Sequence, residues 1–179
     1  MKTFEKILLS LIFLLLWQAP VLARDNVTDW YIKDFQTEIT VNKDASLDIS
    51  EKILADCGTA TGKHGIFRIL PTRYKTKDGD FILPTELISI TNAKGEPLKY
   101  SVLNEGETVT YKIGDPNVEV QGENFYEIKY HVKNAIRSAS ANYDEFYWNV
   151  LGNYWDLEID NFVVQINFPV EINKDNSSL

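Results

Sequence analysis

The chain has 179 residues, of which 44% are hydrophobic, 12% aromatic and 25% charged, and its formal net charge is −8. Acidity of that size argues against nucleic acid or an anionic bilayer surface as partner, because both take a basic patch and no run of Lys or Arg supplies one. The single cysteine, Cys57, excludes an internal disulfide, and His64 and His131 are too far apart in sequence for metal-ligand spacing.

Residues 1–23 read as a secretory signal. Lys2 and Lys6 open the segment, ILLSLIFLLLW is its apolar run, and VLA closes it before Arg24. The run is shorter than the roughly 20 residues that span a bilayer, so cleavage is expected over anchoring. The rest of the chain has the length of one domain, enough to bury roughly 70% of its unfolded surface.

From residue 26 the pattern is β almost throughout. In WYIKDFQTEITV, Phe35, Thr37, Ile39 and Val41 share one phase, and NKDAS then supplies turn chemistry through Asn42 and Asp44. LDISEKIL puts Leu47, Ile49 and Ile53 on one face and Asp48, Ser50 and Lys52 on the other. A Gly/Thr loop, DCGTATGKHG, carries Cys57 as a free thiol and leads into the apolar run IFRILP. TRYKTKDGDFILP reads as a hairpin about Asp78-Gly79, and LISIT and LKYSVL flank the turn NAKGEP. TVTYKIG aligns Val109, Tyr111 and Ile113, while FYEIKYHV turns Tyr126, Ile128, Tyr130 and Val132 inward. The last strand, NFVVQINFP, has Phe162, Val164, Ile166 and Phe168 in phase. Only 134–151 has room for one or two helical turns. These spacings predict an all-β fold, an immunoglobulin-like or jelly-roll-like antiparallel β-sandwich of about nine strands. It is expected over 26–172, with a polar, frayed tail at 173–179.

Glu51 occupies the apolar phase of its strand, where a carboxylate needs a partner, and Arg68 interrupts the apolar run GIFRILP. A guanidinium offers a carboxylate a two-pronged fork, so a Glu51–Arg68 ion pair at the edge of the core is expected, in preference to Glu51 as a general acid. Asp144, Glu145 and Asp156 are acids set among rings, as in a glycan-cleaving groove, but neighbours on a strand point to opposite faces, so Asp144 and Glu145 do not easily converge on one bond. Trp148 and Trp155 suit a sugar platform, although packing of both indoles into a disulfide-free core is the preferred reading. KDGD and GDPN are acidic turns without EF-hand spacing. No serine elbow, phosphate-cradling Gly loop or HExxH motif occurs, and neither cofactor nor metal is expected.

Four stretches in order, WYIKDFQTEITVNKDASLDISEKI, KHGIFRILP, YEIKYHVKNAI and DEFYWNVLGNYWDLEI, with a closing FP, resemble the N-terminal domain of an uncharacterised bacterial family of predicted membrane proteins, domain of unknown function 2207. The resemblance covers nearly all of 26–170. DEFYWNVLGNYW is its most specific piece and HGIFRILP the next. It puts Glu51, Arg68, Trp148, Asn149, Gly152 and Trp155 at motif positions. The family usually has Asp-Gly where this chain has Asp44-Ala45, so that turn is expected to differ locally. The resemblance implies an exported β-rich domain followed by transmembrane helices, and it assigns no catalytic residue. Since no second hydrophobic segment precedes Leu179, the chain is expected to be a fragment, a truncated product or an unanchored version.

The resulting expectation is a non-catalytic extracytoplasmic β-sandwich module of a membrane-associated cell-envelope protein, acting in binding or scaffolding at the outer face of the membrane or as a secreted form. Its expected partner is an envelope glycan or another envelope protein, with candidate contacts at Trp148, Trp155, Asp144, Glu145 and Asn149. The membrane is reached through the signal segment or through transmembrane segments beyond the chain. The alternative is a carbohydrate-binding module or glycan-active hydrolase built on 143–156.

Overall fold

Period-two alternation decides which side chains enter the core. In the computed structural model, which describes residues 24, 27–76, 79–138, 143–152, 154–173 and 177, Phe35, Thr37, Ile39 and Val41 are buried while Gln36, Glu38 and Thr40 face water. The described residues form twelve strands: β1 (Tyr31–Val41), β2 (Leu47–Asp56), β3 (Ile66–Pro71), β4 (Arg73–Thr76), β5 (Gly79–Ile82), β6 (Thr85–Thr91), β7 (Tyr100–Glu105), β8 (Thr108–Ile113), β9 (Glu123–Val132), β10 (Ile136–Ser138), β11 (Asp144–Phe146) and β12 (Phe162–Asn167). The expected signal segment, Asp78 of the first hairpin, Asn153 and all of the tail except 173 and 177 lie outside the described residues.

The larger sheet has the order β12-β1-β2-β9-β6 and the smaller β3-β8-β7; β4–β5 and β10–β11 are separate hairpins. One hydrophobic cluster joins both sheets, with Phe35, Ile53, Ile128 and Tyr130 from the larger and Ile66, Leu70, Val109 and Tyr111 from the smaller. The chain is all-β, two sheets closing on a shared core.

Three details depart from the sequence expectation. β12 pairs with β1 in parallel, Phe35 opposite Phe162, because the chain returns to the sheet edge from the far side and hydrophobic phase carries no direction. The described part of 134–151 forms the hairpin β10–β11 in place of helical turns, with Ile136 opposite Phe146, so the strand count exceeds nine. At Asp44-Ala45 the backbone keeps a glycine-like shape: Ala45 has φ +67°, and its N–H donates to Asn42 O at 3.1 Å while Asn42 N donates to Ser46 O at 2.8 Å. The turn at Asn92–Glu96 repeats this pattern with Gly95 at φ +77°, which shows what residue the conformation favours.

Candidate functional site

Two charged side chains point into the core. Glu51 takes the inward phase of β2 and Arg68 that of β3, and they are 0% and 2% exposed. Because β2 and β3 belong to different sheets, their contact spans the sandwich. Arg68 Nε donates to Glu51 Oε2 at 2.7 Å and Nη2 to Oε1 at 2.5 Å. Tyr130 of β9 adds its hydroxyl to the same Oε1 at 2.6 Å. The outer guanidinium nitrogens reach the carbonyls of Leu151 at 3.1 Å and Val150 at 3.4 Å. The Phe35 and Trp155 rings lie 5.7 and 5.6 Å from the guanidinium carbon. The pair sits inside the core and not at its edge, since hydroxyl and backbone partners replace the water an edge would supply.

Burial by itself would lower the Arg68 pKa, but the Glu51 carboxylate and Tyr130 hold it above the ordinary arginine value. Burial first, and the Glu51 charge second, push the Tyr130 phenol well above its ordinary value. Both donors therefore stay protonated through the physiological range, and no water reaches them. Such a cluster fixes geometry and does not shuttle protons.

The 143–156 segment is shaped around that guanidinium. Asn149 Oδ1 accepts from Gly152 N–H at 3.0 Å, closing a turn that aims the Val150 and Leu151 carbonyls at Arg68. Gly152 has φ +78°, and a Cβ there would lie 3.0 Å from Arg68 Nη1. Gly65 of the HGIFRILP run is more tightly constrained, since its Cβ would fall 1.7 Å from the backbone oxygen of Ile113. Trp148 and Trp155 are half-buried and packed on the core, with Trp155 edge-on to Phe35 at 5.9 Å and 79°. Neither indole is offered as a flat platform; the exposed rings of the segment are Tyr143, Tyr147 and Tyr154. The Nε1–H groups of Trp148 and Trp155 are buried without a hydrogen-bond partner.

A cleft of about 500 Å³ opens beside this corner, lined by Trp30, Phe67, Tyr154 and Trp155, with Lys63 and Asp156 among its polar groups. Lys63 pairs with Asp29 at 2.9 Å. Of the three candidate acids only Asp156 lines the cleft; Glu145 pairs with Arg137 across the β10–β11 hairpin, and Asp144 is exposed on β11. The geometry therefore does not bring two carboxylates to one cleft. Cys57 is fully buried, its Sγ donating to Val120 O at 3.4 Å, and burial raises the thiol pKa, which leaves it unreactive. Asp80 and Asp115 of the acidic turns pair with Arg73 and Lys99, and no metal-ligating cluster occurs among the described residues.

Sequence reasoning missed Tyr130, Trp30, Lys63 and the two carbonyls. A phenol in the inward phase of β9 was a signal for the first, because a buried hydroxyl needs a partner. The carbonyls carried none, since any residue type supplies one.

Residues 31–179 match the family described as Predicted membrane protein (DUF2207) N-terminal domain. Uncharacterized protein YciQ of Escherichia coli (strain K12) is 33% identical over 126 residues, which cover 70% of this chain and 20% of that protein. The chain thus spans about a fifth of the length of the curated relative it matches. Among solved structures, native yeast leukotriene A4 hydrolase has a TM-score of 0.47 at 10% identity, covering 84% of this chain and 26% of its own. An M1 zinc metallopeptidase from Deinococcus radiodurans scores 0.35 at 9% identity, covering 58% and 20%. Likeness at that level carries nothing over to this chain.

Proposed function

We propose, from the premise that the chain belongs to the predicted membrane protein family with the DUF2207 N-terminal domain, that it is a non-catalytic binding or scaffolding module at the extracytoplasmic face of a cell membrane. The observation that supports this reading is where the motif residues go. Glu51, Arg68, Asn149, Gly152 and Trp155 converge on one buried, paired charge that ties two sheets together, which leaves the Glu51 and Arg68 charges unavailable to a substrate.

The cleft beside that corner is mainly apolar, with four aromatic side chains among polar groups that include Lys63, His64, Lys112 and Asp156, a lining suited to binding. Its proposed ligand is an envelope glycan or an extended segment of another envelope protein. Export is proposed through residues 1–23, and membrane attachment through segments C-terminal to this domain in longer family members. No helix among the described residues is long and apolar enough to cross a membrane.

Topology is tested by fusing alkaline phosphatase or green fluorescent protein after Val170 in a bacterial host. An active phosphatase with a dark fluorescent fusion is expected; the opposite pattern overturns the extracytoplasmic placement. Binding is read from tryptophan fluorescence on titration with soluble envelope glycans and with extracted envelope proteins. A saturable change lost in Tyr154→Ala is expected, and release of reducing sugar ends from the glycans would overturn the non-catalytic reading.

A further inference from the structure

The smaller sheet ends on β7, whose only strand partner among the described residues is β8. All six residues of β7 are exposed, although Tyr100 and Val102 stand opposite the buried Ile113 and Tyr111 and so point to the core-facing side. Their exposures of 47% and 44%, with Leu103 at 40% on the other face, make β7 an apolar edge strand. Its pairing with β8 runs without a bulge, and Tyr100–Glu105 contains no proline or lysine. β6, an edge of the larger sheet, carries a register shift between Leu87 and Ser89.

The open backbone groups can be assigned. Gly114 N donates to Lys99 O at 2.8 Å, so Lys99 directs its peptide groups at the β8 side. Alternation then turns the N–H and C=O of Tyr100, Val102 and Asn104 outward.

We propose that β7 is a self-association edge, on which two copies of the chain pair β7 against β7, antiparallel about a twofold axis at Val102. Residues with outward peptide groups must meet their like, and about this axis Val102 faces Val102 and Tyr100 faces Asn104 with reciprocal N–H···O=C bonds. Between them Ser101 faces Leu103, and Lys99 faces Glu105 of the second copy. Charge selects this register. Lys99 also pairs with Asp115 of its own copy, so across the axis it bridges Asp115 and the facing Glu105. Centring on Leu103 would oppose Lys99 to Glu107, which pairs with Lys75, and would leave Glu105 against Ser101 with no cation opposite. Centring on Ser101 would set Glu105 against Pro97 and leave Lys99 facing Leu103. The Val102-centred register opposes no like charges and buries the apolar centre of both strands. Two three-stranded sheets thereby become one continuous sheet. This inference is independent of the ligand-binding reading and of the topology of export.

The test is sedimentation velocity of the full 179-residue chain, purified in mild detergent, over about a hundredfold concentration range. A monomer–dimer equilibrium is expected. Val102→Pro removes an N–H that faces away from β8, so the fold is expected to persist by circular dichroism while the dimer is lost. Glu105→Lys places like charges opposite each other and is expected to weaken the dimer at least about tenfold, with Lys99→Glu/Glu105→Lys restoring it in an Asp115→Asn background, where the acid beside Lys99 no longer opposes the reversal. A wild-type chain that stays monomeric, even one that captures an extended strand of another protein, overturns the proposal. So does a dimer that persists in Val102→Pro, or a charge reversal that fails to rescue Glu105→Lys.

Discussion

Glu51 and Arg68 each hold the other in a place water does not reach. Deleting one partner strands a charge, so Glu51→Ala is expected to cost about 3–5 kcal/mol in urea denaturation. A melting temperature within about a degree of wild type would show that the guanidinium finds other acceptors. The apolar double variant Glu51→Leu/Arg68→Met should recover much of that loss but not all, because Val150 and Leu151 would keep carbonyls without their donor. Tyr130→Phe removes one of the donors to Glu51 Oε1 and is expected to cost about 1–3 kcal/mol. Ala45 is the opposite case. Its Cβ is held at φ +67° where the equivalent turn has Gly95, so Ala45→Gly is expected to stabilise by about 0.5–1 kcal/mol, the strain relieved exceeding the entropy returned to the unfolded chain. Differential scanning calorimetry checks it; an unchanged or lower melting temperature would mean that the loop already relaxes around the alanine.

Among the elements, the 149–152 turn seats the guanidinium that joins the two sheets, and its glycine is a point of contact. Gly152→Ala meets both a left-handed backbone and Arg68 Nη1, and is expected to cost more than about 1 kcal/mol with a loss of near-ultraviolet ellipticity from Trp155. Unchanged ellipticity at full stability would show that the turn is not what seats that indole. Long strands were legible in the sequence because β1, β2 and β9 bury alternate residues over seven to ten positions, and misplaced charges stood out against that phase. β10 and β11 were not, since three residues are too few to display a period. Nor was the parallel seating of β12, because phase says which face is buried and nothing about the neighbour or the direction. The aromatic corner misled for a similar reason. Composition records that Trp148 and Trp155 are large and apolar, whereas only the fold decides that they pack inward and leave the tyrosines outside.

Taken whole, the molecule has acids near its surface, Glu51 apart, and several buried phenols, and that asymmetry shapes its response to pH. Hydrogen bonds from His131 and Asn42 lower the pKa of Asp48, as Ser46 does for Asp44, Lys99 for Asp115 and Lys75 for Glu107. Their contribution is present above the unfolded value near 4 and fades as pH falls through the depressed folded values, but these groups lie near water, where such contacts are weak. The part of the acid limb that these surface groups supply should therefore be shallow. Burial raises the pKa of Tyr126 and of Tyr111 and Tyr74, and burial with the Glu51 charge raises that of Tyr130. A raised folded value means that stability is fully present below about pH 10, the unfolded phenol's pKa, and is lost as pH climbs above it, because only the unfolded chain can release those protons. Each buried phenol then contributes a slope of up to about 1.4 kcal/mol per pH unit. Denaturation midpoints should change little between about pH 5 and 9 and fall steeply beyond about 10. In a spectrophotometric titration the buried Tyr111, Tyr126 and Tyr130 should ionise only together with the loss of β-sheet ellipticity. Tyr130→Phe should make the alkaline fall less steep even though it lowers stability at neutral pH. Ionisation of Tyr111, Tyr126 and Tyr130 near pH 10 with the sheets intact would contradict the burial of these phenols, and with it the placement of Tyr130 against Glu51.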